Sequence, residues 1–438
     1  MTIPKIFYIP LINVFFAFIL MLQNTQSNAN LINTSEQKNL QNVLNIFIQK
    51  ALETNPSIQA ADANITAAYK RQQASSQPIY NPAISMEGQK SNDKFYTIGL
   101  NQTIDWSSKR DARTRVGTAN LEVAKAQRLV LQQNLIFEIL DSLVSYQTTQ
   151  ETLKLTKEKN VLLKQFVELT QKRQASGDAA GIDIDLANFA LSEALAQEAY
   201  SEENLNKSLQ VLQSTTGLKQ TDWPKFPTTL PHLIFDPLKT DDLINNLYSV
   251  KLLSSQYVSA QERVNVARKE RYSDPTISLK AGKERSNGSN SILIGLNISL
   301  PLFIRNTYGY EVEAAHQDTI EAEKKRLDIL RQARAEIENN AESYIKLYQK
   351  IEQWQTFSSK PLQESILLLK RLWESKYISA TDYLVQLKQR IDNQIAGAEL
   401  QGHAWKSWIN WLKSSGNIED WVKNINNPAS CEQIMQKK

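Results

Sequence analysis

The sequence predicts a mainly α-helical chain built as two equivalent halves, each a long coiled-coil helical hairpin preceded by a β-hairpin. Three observations carry this expectation. Glycine and proline number only 13 each in 438 residues, leaving little material for the loops of α/β or many-domain proteins. Between Ser107 and Ser176 there is no proline and one glycine, Gly117, while Leu135, Ile139, Leu143 and Tyr146 recur at helical spacing. About seventy such residues span roughly 105 Å, more than an ordinary globular domain requires. The pattern also occurs twice. Asp274-Pro275-Thr276-Ile277-Ser278-Leu279 repeats Asn81-Pro82-Ala83-Ile84-Ser85-Met86, and a second helical pattern follows each hairpin at a separation of about 195 residues.

Taken in order, the chain opens on a targeting signal, residues 1–29. Lys5 precedes the apolar run Leu11 to Leu22, and Ser27-Asn28-Ala29 is a small-x-small cleavage site. The alternative is an N-terminal anchor, for which the run is shorter than the roughly twenty residues of a spanning helix. The first repeat covers residues 30–216. Its short helix from Leu40 stops at Asn55-Pro56, because the residue before proline is pushed out of the helical region. A second helix, Ser57 to Ser76, leads into a hairpin over 82–106, turned at Ser91-Asn92-Asp93-Lys94. There Ile98, Leu100, Ile104 and Trp106 share one face, with Thr97, Gly99, Asn101, Thr103 and Asp105 on the other.

The long helix is turned by Gly177-Asp178-Ala179-Ala180-Gly181, and a return helix runs from Ile182 to Thr216, ended by Gly217. Residues 217–239 form a stiff crossing marked by Pro224, Pro227, Pro231 and Pro237. The second repeat, 240–415, has helices from Thr240 to Arg271 and a hairpin over 275–303. There Ile292, Ile294, Leu296, Ile298 and Leu300 lie opposite Ser291, Gly295, Asn297 and Ser299. Its long helix from Asn306 carries the seam Ile337, Ala341, Tyr344, Tyr348, Ile351, with a break expected at Pro361. A turn from Lys376 to Ala380 and a return helix to Lys413 complete it. The polar tail, 416–438, has Trp421 as its large anchor and holds the single cysteine, Cys431, so no disulfide framework is expected.

Four alternating segments of about ten residues have the length of membrane-crossing β-strands. Exposed sheet edges are not tolerated in lipid, so strands cross a bilayer only as a closed barrel. Four strands do not close one, whereas three chains supplying four each make a 12-stranded barrel. The alternation by itself equally allows two soluble hairpins on a helical bundle. The net charge of +4, with Lys/Arg interspersed among Asp/Glu, points to no nucleic-acid partner.

With its helix, hairpin, long helix, turn and return helix all present twice around a proline-rich crossing, the chain resembles the TolC-like outer-membrane efflux proteins. The most specific feature is the tip turn, where that family has a glycine followed six positions later by an acidic residue. Here Gly177 is followed by Asp183; in the second half Lys376 stands in the glycine position, and Ile378-Ser379-Ala380-Thr381-Asp382 puts Asp382 in register with Asp183. The resemblance implies a homotrimer with a 12-stranded β-barrel in the outer membrane of a Gram-negative bacterium. It also implies a periplasmic α-helical tunnel narrowed by these turns, with a periplasmic adaptor and an inner-membrane pump of RND or ABC type as partners. The chain would then be the exit duct of a tripartite efflux system, conducting metal ions or drugs.

Under three-fold symmetry Asp183 and Asp382 form carboxylate rings that favour cations. Read locally, each is a helix-start carboxylate suited to the backbone N–H groups. A further acidic position of the family falls on Val385 and a tip arginine on Ile378, which leaves the lock of the mouth to other bonds.

No catalytic pattern appears. His232, His316 and His403 stand in unrelated contexts, and neither a cofactor nor a metal site is expected. Trp405, Trp408 and Trp411 lie on a return helix where 405, 408 and Leu412 share a face, which suits packing. The alternative to a duct is a periplasmic adaptor or structural coiled coil without a pore; such an adaptor is expected to have one helical hairpin between β-rich halves. A secreted helical enzyme lacks any candidate site.

Overall fold

A computed structural model of the chain describes residues 43–90, 94–178, 180–227, 229–286, 288–358 and 362–424. The expected signal segment, the break at Pro361 and Cys431 lie outside the described residues. Helix α1 occupies 43–54 and α2 Pro56–Ser75, separated at Asn55, whose carboxamide oxygen accepts the Ser57 N–H at 2.8 Å and caps α2. Strands β1 (Ala83–Lys90) and β2 (Lys94–Thr103) lead into α3, Lys109–Ala175, a 67-residue helix of about 100 Å. Helix α4 (Gly181–Thr216) returns beside it.

After the crossing come α5 (Thr240–Asn246) and α6 (Tyr248–Glu270), split at the extended Leu247. Strands β3 (Thr276–Ser286) and β4 (Ser289–Ser299) precede α7 (Gly309–Phe357), α8 (Leu362–Glu374), α9 (Ala380–Ser414) and the short α10 (Ile418–Asn424). The second long helical arm is therefore two helices, and α7 starts three residues later than the Asn306 expected from periodicity.

The two hairpins form one antiparallel sheet in the order β1-β2-β3-β4, so the halves meet at the β2–β3 pair. Its register aligns whole rows. Ile84, Leu100, Leu279 and Leu296 form one, and Met86, Ile98, Ala281 and Ile294 the next.

Long helices need lateral support, and α3 finds it against α2, α4, α6 and α9. One apolar core joins α1 to Leu135, Ile139, Leu143 and Tyr146 of α3, to Ala341, Tyr344 and Ile351 of α7, and to Trp405, Trp408, Trp411 and Leu412 of α9. The three tryptophans are packing residues: Phe226 meets Trp405 edge-on at 4.7 Å, and Trp408 stacks on Trp411 at 5.0 Å. The crossing is pinned here. Gln147 donates to the Pro224 carbonyl at 2.8 Å and accepts the Phe226 N–H at 2.9 Å, while the Tyr344 hydroxyl donates to the Pro231 carbonyl. Trp421 anchors the tail as expected, and Ile418 and Val422 are buried with it.

A second core, nearer the tip, unites Leu163 and Phe166 of α3, Ala187 to Ala194 of α4, Leu369 and Trp373 of α8, and Tyr383 to Ile395 of α9. Between the cores α3 buries polar groups: Lys159, its side chain 3% exposed, donates to Asp392 at 2.7 Å and Gln197 at 2.8 Å. Gly397 of α9 lies against the Trp354 ring, where a Cβ would come within 2.1 Å of the indole.

Candidate functional site

Two regions depart from what an isolated soluble bundle would show, the sheet and the tip. In the sheet the ordinary burial pattern is inverted. The face carrying Ile84, Met86, Ile98, Leu100, Leu279, Ile292, Ile294, Leu296 and Ile298 is exposed, Met86 to 81% and Ile292 to 79%. Thr97 and Ser278, on the other face, are buried to 7%. That second face holds polar partners, Lys280 to Glu87 at 2.9 Å among them, together with Phe95 and Leu293. Alternation thus separates an outward apolar surface from an inward polar one. Ile98 and Leu100, and Ile292, Ile294, Leu296 and Ile298, each set grouped on one face of its strand by the alternation, all lie on the exposed side of the sheet.

Where the sheet meets the long helix, Asp105 accepts the Lys109 and Arg110 N–H groups, both at 2.8 Å, and so caps α3. Beneath it Lys109 pairs with Asp274 at 2.9 Å, with side chains 5% and 2% exposed, and with Glu270 at 3.6 Å. The Tyr80 hydroxyl donates to Asp274 at 2.8 Å; burial first, and that hydrogen bond second, push it up to about 12.

At the tip the two halves end alike. Helix α3 closes with Gly177 at φ +80°, the Asp178 N–H bonding the Arg173 carbonyl at 2.7 Å and the Gly177 N–H that of Gln174 at 2.9 Å. Helix α8 closes with Lys376 at φ +62°, the Tyr377 N–H bonding the Leu372 carbonyl at 2.9 Å and the Lys376 N–H that of Trp373 at 3.0 Å. Both are the same left-handed C-terminal motif, which glycine enters freely and lysine enters at a cost of about 1 kcal/mol. The correspondence of Lys376 to Gly177 read from the sequence is therefore a correspondence of backbone conformation.

The two turns are joined. The Lys376 ammonium meets the Asp178 carboxylate at 3.1 Å. Arg173 lies over the Trp373 ring at 4.5 Å and donates to the Trp373 and Glu374 carbonyls at 3.2 and 3.3 Å, so it finishes the end of α8. Trp373 stacks on Tyr383 at 4.7 Å and meets Phe166 at 4.9 Å. Burial, with Glu374 second, raises the Tyr383 hydroxyl above its ordinary value.

Asp183 and Asp382 both sit at the third position of their return helices. The half-buried Asp183 accepts the Ala180 N–H at 3.2 Å. Asp382, exposed, accepts the Ser379 hydroxyl at 2.7 Å, and its own N–H bonds the Ser379 oxygen at 3.0 Å. Each aspartate is thus a helix-start group in its own turn; within one chain the junction between turns is made by Asp178 and Lys376. Sequence reasoning missed Arg173 and Trp373, which meet across two hundred positions of the chain. Their only local signal is a cation in the last turn of α3, where it suits the helix dipole. Among the described residues no group of His, Cys, Asp or Glu is arranged to hold a metal ion.

Comparison with known proteins agrees with this architecture. Residues 47–218 match the family described as outer membrane efflux protein. The nickel-cobalt-cadmium resistance protein NccC of Alcaligenes xylosoxydans xylosoxydans is 27% identical over 304 residues, 65% of this chain and 66% of that protein. The cobalt-zinc-cadmium resistance protein CzcC of Cupriavidus metallidurans is 24% identical over 233 residues, 52% of this chain and 56% of its own length. The matched stretches thus span just under two thirds and just over half of these relatives. The fold is that of the Campylobacter jejuni CmeC outer membrane channel, at a TM-score of 0.71 and 16% identity, covering 88% of this chain and 89% of that one. Two helical hairpins sharing one sheet thus give the chain the fold of these outer membrane channels, and residues 47–218 within it match the outer membrane efflux protein family.

Proposed function

We propose that three copies of the chain close a 12-stranded barrel in the outer membrane of a Gram-negative bacterium. The assembly is the passive exit duct of a tripartite efflux system. The observation that carries this is the inside-out sheet with two open edges. Among the described residues of one chain β1 pairs only with β2, and β4 only with β3. An apolar face covered by lipid leaves no water to satisfy such edges, so β4 of one copy pairs with β1 of the next until the ring closes. At 11 residues, β3 and β4 run about 36 Å, or roughly 27 Å across the bilayer at a tilt near 40°. That matches the apolar band of about 25 Å in such barrels.

The helices then extend into the periplasm, where three copies each of Asp183 and Asp382 surround one constriction. An adaptor and an inner-membrane pump of RND or ABC type complete the path. Divalent metal ions are the proposed cargo, supported by the names of the two cation-resistance relatives. The reading does not need a cation-binding cluster in this chain, since a passive duct leaves selection to the pump. Native mass measurement on the detergent-extracted protein should give three chains. A monodisperse monomer that stays soluble without detergent refutes it.

A further inference from the structure

We infer that the turn end of the sheet carries a docking row for the phosphates of an anionic lipid in the outer leaflet, an inference that rests on the barrel reading above. The register places Lys90 opposite Lys94 and Lys94 opposite Arg285, so three adjacent strands present cations side by side. One row nearer the middle, Lys283 lies between Tyr96 and Ile292. Strand parity puts all four on the outward apolar face, at and just beyond the row that ends in Ile292. All four are exposed.

Like charges directly opposite one another destabilise a sheet, and here no described acidic side chain offsets them. Glu87 and Glu284 lie on the inward face, where Glu87 is taken by Lys280. No described acidic side chain forms an ion pair with the four cations. At the helix end of the sheet Lys109 pairs with Asp274 and Arg113 with Glu270, and the exposed Trp106 and Tyr272 are neutral. Within the four strands the outward-facing cations are therefore confined to one end of the face.

That end of an outward face is where a bilayer changes from acyl chains to headgroups. Long Lys and Arg side chains reach past the apolar rows to that boundary, and a headgroup phosphate there gains charge-assisted hydrogen bonds, bidentate from Arg285. From Lys90 to Arg285 the row covers two strand spacings, about 10 Å, enough to engage a headgroup with two phosphates. The occupant is accordingly a diphosphorylated glycolipid.

The test uses the assembled, detergent-purified protein and diphosphoryl lipid A as probe, read by native mass spectrometry. Wild type should retain the lipid, and the variant Lys90→Gln, Lys94→Gln, Lys283→Gln, Arg285→Gln should retain at least tenfold less while its spectrum still shows the trimer. Fully dephosphorylated lipid A should bind both forms equally weakly. Equal retention of the diphosphoryl lipid by both proteins, or wild-type retention of the dephosphorylated lipid to the same extent, overturns the docking row. Phosphatidylglycerol held as tightly as diphosphoryl lipid A overturns its assignment to a two-phosphate headgroup. A wild-type mass of one chain overturns the barrel reading instead, so the two failures are told apart in one spectrum.

Discussion

Arginine in place of Leu296 is the sharpest test of which way the sheet faces. Leu296 is 67% exposed and belongs to the row Ile84, Leu100, Leu279 and Leu296, with the row of Ile294 on one side and that of Ile298 on the other. An arginine on the lipid face costs about 2–4 kcal/mol at the bilayer midplane and about 0–1 near the interfaces. In the proposed trimer each substitution enters three times, so the assembled barrel would lose about 6–12 kcal/mol. Arginine in place of the neighbouring Asn297, whose side chain lies on the inward face, would enter the proposed aqueous lumen and should cost little. The assay is urea-dependent folding of each variant into lipid vesicles, followed by the trimer band that resists unheated detergent electrophoresis. The Leu296→Arg protein should fail to assemble or unfold at a lower urea midpoint, with Ile294→Arg intermediate towards the cationic row, and Asn297→Arg near wild type. Equal behaviour of Leu296→Arg and Asn297→Arg would show that neither face meets lipid, and the barrel argument would fall.

Three further outcomes follow from the helical part. If the rings of Asp183 and Asp382 concentrate cations, wild-type channels in a planar bilayer should be cation-selective and blocked by multivalent cations from the tip side. Replacing both by Ala should remove most of the block while the trimer persists; block that survives the double replacement assigns both to helix starts alone, each contributing about 1 kcal/mol. Lys109→Met should destabilise by about 3–5 kcal/mol, because it strands the buried Asp274 carboxylate, and adding Asp274→Leu should recover much of that. Chemical unfolding followed by far-UV circular dichroism measures both, and no recovery in the double variant would mean that the pair does not act as a unit. Gly397→Ala should lower the unfolding free energy by about 1–3 kcal/mol, because its new methyl group runs into Trp354; an unchanged value would mean the α7–α9 contact is looser than the structure has it.

By itself the sequence determined the plan of the chain. Periodicity of 3.6 and of 2, together with the placement of glycine and proline, reports local backbone and face. Those signals located the helical arms, the hairpins, the turn at Gly177 and its counterpart at Lys376. They also placed Ile98, Leu100 and Ile292 to Ile298 on one surface, because strand alternation requires no knowledge of the partner strand. Boundaries were less legible. The split at Leu247 and the start of α7 at Gly309 have no proline to mark them, and they follow from how the segments pack.

Only the tertiary structure decided what meets across the repeat. The β2–β3 pairing, the joining of Asp178 to Lys376, the capping of α8 by Arg173 and the burial of Lys109 against Asp274 all link residues more than 150 positions apart. Nothing in a local window encodes such pairs, since their energy comes from burial and charge brought together by folding. The row of Lys90, Lys94 and Arg285 is the same case: each is an ordinary surface cation in its own segment, and register alone makes them neighbours. The two aspartates show the converse. Their helix-start bonds are local and were legible, whereas a ring of six carboxylates would exist only by symmetry between chains, which one chain's sequence does not specify.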